Sequence, residues 1–210
     1  MNKHLANCIE RYPVLAVCAE DMTKAFEALC TSFRNGGKLL LAGNGGSSSD
    51  CDHLAGELLK GFCSKRPLPA PLQKALSVQF GETGTYMAEN LQQGLPAWHL
   101  GQATGLASAW ANDVDPELLY AQMLMATGRK GDVLIGMSTG GGAKNILAAF
   151  RLAKILDITT VLFTGNKNGI CCSEADVVIA VPESETYKIQ ELHLPVYHAI
   201  ALAVEEEFFG

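Results

Sequence analysis

The sequence predicts an α/β fold: a three-layer αβα sandwich, flavodoxin-like, with a central parallel sheet and long helices at either end of the chain. Three observations predict it. Short apolar runs at 38–42 (KLLLA), 132–137 (DVLIGM), 159–163 (TTVLF) and 177–181 (VVIAV) alternate with segments of helical period, the pattern of parallel strands joined by helical crossovers. Two of these runs break into Gly- and Ser-rich loops just before a helix. The 210 residues, 48% of them hydrophobic, suffice for one full core, so residues 1–210 are expected to form a single domain.

Taken in order, residues 2–34 place Leu5, Cys8, Ile9, Val14, Val17, Cys18, Met22, Phe26, Leu29, Cys30 and Phe33 at helical spacing. They read as a short helix, interrupted near Pro13, and a long one stopped by Asn35-Gly36-Gly37. So wide a stripe serves the chain's own core or a partner chain. A buried strand at 38–42 then enters Gly43-Asn44-Gly45-Gly46-Ser47-Ser48-Ser49 and a helix over about 47–60. A strand that breaks into Gly and Ser before a helix offers N–H groups at the positive end of the helix dipole, which is an anion site. The loop lacks both the Walker and the dinucleotide spacing. His53 and Glu57, four apart, share one face of that helix.

Residues 61–97 read as an insertion or lid, stiff at Lys65-Arg66-Pro67-Leu68-Pro69-Ala70-Pro71, with a short helix at 86–93. A strand at 96–100, a helix from Thr104 to Trp110, a turn at Asn112-Asp113 and a helix over 116–127 follow. The run 132–137 breaks at Ser138-Thr139-Gly140-Gly141-Gly142 and enters a helix at 143–156. After strand 159–163 come a short helix near 168–173, the last strand at 177–181 and a long helix at 185–209 carrying Gln190, His193, Pro195 and His198. Two phosphate-type loops at the carboxyl edge of one parallel sheet are expected to converge on one ligand.

Other classes are disfavoured. A net charge of −6 with no basic run argues against nucleic acid. No apolar run reaches the ~18 residues that span a bilayer, so the expected location is the cytoplasm, with no membrane partner. Seven cysteines with no C-x-x-C pair read as reduced core thiols.

The succession Gly43-Asn44-Gly45-Gly46-Ser47, His53-Leu54-Ala55-Gly56-Glu57, Asn112-Asp113, Gly136-Met137-Ser138-Thr139, Leu162 to Gly165 and Gln190 to His198 resembles the phosphoheptose isomerases of the sugar isomerase (SIS) superfamily. The resemblance implies an aldose–ketose isomerase converting sedoheptulose 7-phosphate to D-glycero-D-manno-heptose 7-phosphate. It implies that Asn44, Gly45, Gly46 and Ser47 line one phosphate-sugar loop and that Ser138, Thr139 and Gly140 form the other. Asn112 and Asp113 would hold sugar hydroxyls. His53, Glu57, Gln190 and His198 would ligate zinc, with Glu57 and His198 also serving as the acid–base pair and Glu57 and Gln190 touching substrate. A homotetramer around a central helical bundle is implied as well, its sites completed by neighbouring chains. The chain departs from the family's usual Ser-Thr-Ser-Gly-Asn-Ser in its second loop, where Gly140 and Ala143 replace two hydroxyls. Two other readings remain: an isomerase of pentose or hexose phosphates, and a non-catalytic relative that binds a partner.

Overall fold

In the computed structural model, which describes residues 1–166 and 168–210, the chain begins with α1 (Lys3–Arg11), a 3-10 turn (Pro13–Cys18) and α2 (Ala19–Arg34). Then come β1 (Leu39–Gly43), α3 (Gly46–Leu59), α4 (Ala70–Asn90), β2 (Ala97–His99), α5 (Thr104–Asp113) and, after a 3-10 turn at Pro116–Leu118, α6 (Leu119–Thr127). The second half holds β3 (Val133–Met137), α7 (Lys144–Ile155), β4 (Thr159–Thr164), a 3-10 turn (Ile170–Ser173), β5 (Val177–Ala180) and α8 (Thr186–Phe209).

The five strands form one parallel sheet in the order β2-β1-β3-β4-β5. Because side chains alternate along a strand, the sheet feeds two cores. Leu39, Leu41, Val133, Ile135, Val161 and Phe163 point to one face, where α1, α2, α3 and α8 cover them. Leu40, Ala42, Leu134 and Leu162 point to the other, under α6 and α7. From β1 the chain moves outward to β2 on one side, and from β3 outward to β4 and β5 on the other. The order therefore reverses between β1 and β3, whose carboxyl ends carry the two Gly/Ser loops. That crevice is where open parallel sheets bind ligands.

Much of the segment read as an insertion or lid is helical. Residues 70–90 form α4, bent at Gly81, where φ is +58°, a conformation that glycine adopts without a Cβ clash. The short helix expected at 86–93 is the second limb of this longer one. The sequence concealed it because α4 buries only Gly84 and Ala88, so it has no apolar stripe to betray its period. Asn112 and Asp113, expected in a turn, occupy the last turn of α5. The connector before α4 is anchored by Arg66, which is fully buried. Its guanidinium donates to Glu205 Oε1 (2.9 Å) and to the carbonyls of Leu58 (2.7 Å) and Glu57 (3.0 Å). Glu205 in turn accepts the N–H groups of Phe62 and Cys63 at 2.8 and 2.9 Å. No disulfide joins the cysteines, and no helix is long and apolar enough to cross a membrane, among the described residues.

Candidate active site

The two loops meet as the strand order requires. Asn44, Gly45, Gly46 and Ser47 from the first, and Ser138 and Thr139 from the second, line one cleft of about 360 Å³ together with Thr186 and Gln190 of α8. Gly45 holds φ at +58°, and the N–H groups of Ser47 and Ser48 close turns on the carbonyls of Asn44 (3.1 Å) and Gly45 (3.0 Å). Those turns leave the N–H groups of Asn44, Gly45 and Gly46 unused. Gly46 also makes room for the α8 side chain, because a Cβ there would fall 2.6 Å from Gln190 Nε2. Gln190 Nε2 reaches Ser47 Oγ at 3.5 Å. Gly140 continues the second loop as an exposed residue. Asn112 and Asp113 are exposed, hydrogen-bonded to each other (2.8 Å), and outside this cleft.

Asn44 is held from below. Its amide exchanges hydrogen bonds with that of Asn145 at 3.0 and 2.9 Å, and the hydroxyl of Tyr120 donates to the carbonyl of Gly43. Sequence reasoning missed Asn145 and Tyr120. Asn145 sits just past the second loop at the start of α7, so a polar residue there was the available signal. Tyr120 comes from a helix whose place under the loop no spacing rule reveals.

The second constellation lies farther along the same two helices. α3 and α8 run side by side in the same direction: Ser47 meets Gln190, and His53 meets Tyr197 and His198. His53 Nε2 is 3.2 Å from Glu57 Oε1 and 3.5 Å from His198 Nε2. The Tyr197 hydroxyl lies 3.0 Å from His53 Nδ1 and donates to Asp50 Oδ1 at 3.3 Å. With its proton given to Asp50, the Tyr197 oxygen accepts from His53 Nδ1–H, which turns the lone pair of Nε2 toward Glu57 and His198. Burial, and then the neighbouring His53, lower the pKa of His198, with Glu57 acting the other way. Burial raises the pKa of Asp50, and Glu57 Oε2 is buried without a hydrogen-bond partner, its nearest cation being Lys60 at 3.8 Å. Sequence reasoning missed Asp50 and Tyr197.

Of the four side chains expected around zinc, the structure thus brings together His53, Glu57 and His198 and places Gln190 with Ser47, two turns away. The eight residues from Gln190 to His198 rise roughly 12 Å along a helix, and Pro195 does not bring the two together. The trio is a row with His53 in the middle, and among the described residues no group of three His, Cys, Asp or Glu side chains is arranged to hold a metal ion. Its chemistry, two imidazole nitrogens and a carboxylate oxygen, is that of a zinc-binding set.

The chain has counterparts among known proteins. The SIS domain family matches residues 108–203. The chain is 41% identical over 187 residues to the phosphoheptose isomerase of Burkholderia pseudomallei (strain 1710b), covering 89% of this chain and 82% of that one. It is 31% identical to the phosphoheptose isomerase of Akkermansia muciniphila over the full length of both. Among solved structures, phosphoheptose isomerase from Neisseria gonorrhoeae superposes with a TM-score of 0.74 at 26% identity, over 97% of this chain and 95% of that one. The Francisella tularensis structure, with a TM-score of 0.76 at 23% identity over 96% and 94% of the two chains, shares the fold. With relatives 31–41% identical over most of both chains, the chain belongs to the phosphoheptose isomerase family of SIS-domain proteins.

Proposed function

We propose that the protein interconverts sedoheptulose 7-phosphate and D-glycero-D-manno-heptose 7-phosphate through an enediol or enediolate. The observation that carries this reading is the convergence of two Gly/Ser loops and Gln190 on one cleft at the strand switch point. The cleft receives the phosphate: its N–H groups and hydroxyls donate, and the N-terminus of α3 adds a favourable dipole. Glu57 takes the proton from C1 and returns it to C2. His198 passes the proton between the two oxygens, as a histidine placed beside the base can.

We place a zinc ion at His53, Glu57 and His198. The support is the chemistry of the donors: His53 Nε2 lies 3.2 Å from Glu57 Oε1 and 3.5 Å from His198 Nε2, and imidazole nitrogens and carboxylate oxygens are the atoms that zinc takes as ligands. Tyr197 is placed to orient His53 from behind, as outer partners of metal-bound histidines do. When bound, zinc supplies a Lewis acid for the substrate's carbonyl and hydroxyl oxygens. His53, Glu57 and His198 do not line the phosphate cleft of their own chain. We infer a homotetramer in which a neighbouring chain brings its residues to the cleft.

The test is exchange of the substrate's C1 proton with deuterated water, followed by NMR at saturating sedoheptulose 7-phosphate, with zinc content measured in parallel. Glu57→Gln keeps the volume of the side chain and removes the base, so exchange is expected to fall ~10²–10⁴-fold while calorimetry still registers substrate binding. Exchange near the wild-type rate would remove Glu57 from the role and make His198 the first candidate. A panel of pentose and hexose ketose phosphates, scored for aldose formation, checks the chain length.

A further inference from the structure

One cluster remains outside the two constellations. His99, at the carboxyl end of β2, is 4% exposed. Its Nδ1 lies 2.8 Å from Asp52 Oδ1 and its Nε2 3.4 Å from Ser48 Oγ. Asp52 also accepts from Gln102 Nε2 at 2.9 Å. Gly101 packs on the ring so closely that a Cβ there would sit 2.7 Å from Nε2. Because the Asp52 carboxylate can only accept, Nδ1–H donates to it, and in that tautomer Nε2 is the acceptor. The Ser48 hydroxyl must then donate to His99, turned toward the sheet edge, whereas Ser47, one residue earlier, lines the cleft.

The arrangement matches the order of a nucleophilic triad. The cleft it would need is missing, since Ser48 does not line the phosphate cleft and the Asp52 side chain, 51% exposed, is the most open of the three. Its place beneath the loop argues for another role. The N–H of Ser48 closes the turn on the Gly45 carbonyl at 3.0 Å, and that of Ser49 reaches the same oxygen at 3.3 Å. Whatever fixes Ser48 thereby fixes the left-handed Gly45 and the direction of the Gly45 and Gly46 N–H groups. Tyr120 and Asn145 clamp the same loop from its other end.

The geometry points to Asp52 and His99 as positioning residues that act through Ser48: they hold the first loop in the shape that receives the phosphoryl group, and so set substrate affinity rather than the rate of proton transfer. The inference rests on the sugar-phosphate reading of the cleft and adds to it residues that touch no substrate.

The test is steady-state kinetics with sedoheptulose 7-phosphate on folded variants, with inorganic phosphate affinity measured by calorimetry. Ser48→Ala, Asp52→Asn and His99→Phe are each expected to raise KM roughly twofold to tenfold, the scale of one ordinary hydrogen bond, and to change kcat less than about twofold. Ser48→Thr, which keeps the hydroxyl, should restore the wild-type KM. The Ser48→Ala/His99→Phe pair should be no worse than the worse single variant, because both break the same link. Should His99→Phe fail to fold, Ser48→Ala and Asp52→Asn carry the comparison alone. Unchanged KM and unchanged phosphate affinity in those two would overturn the inference, as would a Ser48→Thr variant no better than Ser48→Ala. A wild type that binds phosphate without isomerising the sugar would count against the proposed activity instead, and the phosphate affinities would still decide the role of His99.

Discussion

His193 lies inside the α8 face of the core, its Nε2 donating to the Thr164 carbonyl at 3.2 Å and its Nδ1 without a partner. Burial pushes its pKa down to about 4, against about 6.5 in an unfolded chain. Above pH 6.5 both states hold the ring neutral and its contribution is complete. As the pH falls below 6.5 the unfolded chain takes up a proton that the native one refuses, and stability is lost until the native ring protonates near pH 4. The loss amounts to about 3 kcal/mol, and His193→Gln should show a smaller fall in urea midpoint between pH 7 and pH 4.5 than the parent. At this scale the sequence was legible wherever partners share a helix. His53 and Glu57 meet because they are four apart, and His193, five residues before His198 and so roughly 140° round the helix from it, reads as a structural or interface histidine. Contacts between elements left no such trace, and His99, which carried no signal in the sequence, stands at the middle of a network drawn from α3 and β2.

Among the elements, the connector from Gly61 to Pro69 owes its shape to one buried ion pair. The Arg66 guanidinium lies 4.7 Å above the Phe209 ring and ties the end of α3 to Glu205 on α8. Burial alone would raise the pKa of Glu205, but the Phe62 and Cys63 N–H groups and Arg66 bring it below the usual carboxylate range. Arg66→Met would leave that carboxylate enclosed without its cation, a change that costs about 3–5 kcal/mol, and equilibrium urea unfolding would register it. The strands and the helices with a buried face were legible because burial imposes a period on the sequence. α4 was not, since a helix with almost nothing buried within its own chain is free of that constraint. Arg66 was read as part of a stiff connector because a buried arginine looks like any surface one until its partner, far away in sequence, is known.

For the whole molecule, α4 is the outstanding feature. Val78 is 77% exposed, Tyr86 67% and Phe80 53%, on a helix that buries only Gly84 and Ala88. Apolar surface of this kind marks an interaction face, and in a homotetramer α4 would cover a neighbour. The expected sedimentation at micromolar concentration is that of four 22.4 kDa chains. Val78→Asp combined with Phe80→Asp should shift it toward smaller species with little change in the far-UV signal of each chain. A wild-type monomer would refute the tetramer and, with it, the sharing of sites between chains.

The packing of α1 against α8 has a consequence for synthesis. Lys3 and His4 pair with Glu206, and Cys8 reaches the carbonyl of Pro195, so α1 finds its seat only when the last helix exists. On a ribosome adding about 5–20 residues per second, α1 and its apolar face wait on the order of ten seconds or more for α8 to emerge. During that wait Leu5 and Cys8 of α1, both buried in the finished fold, lack the α8 surface that covers them. Such a nascent chain is a natural client for holding chaperones, and slowing translation late in the message should lengthen its dependence on them.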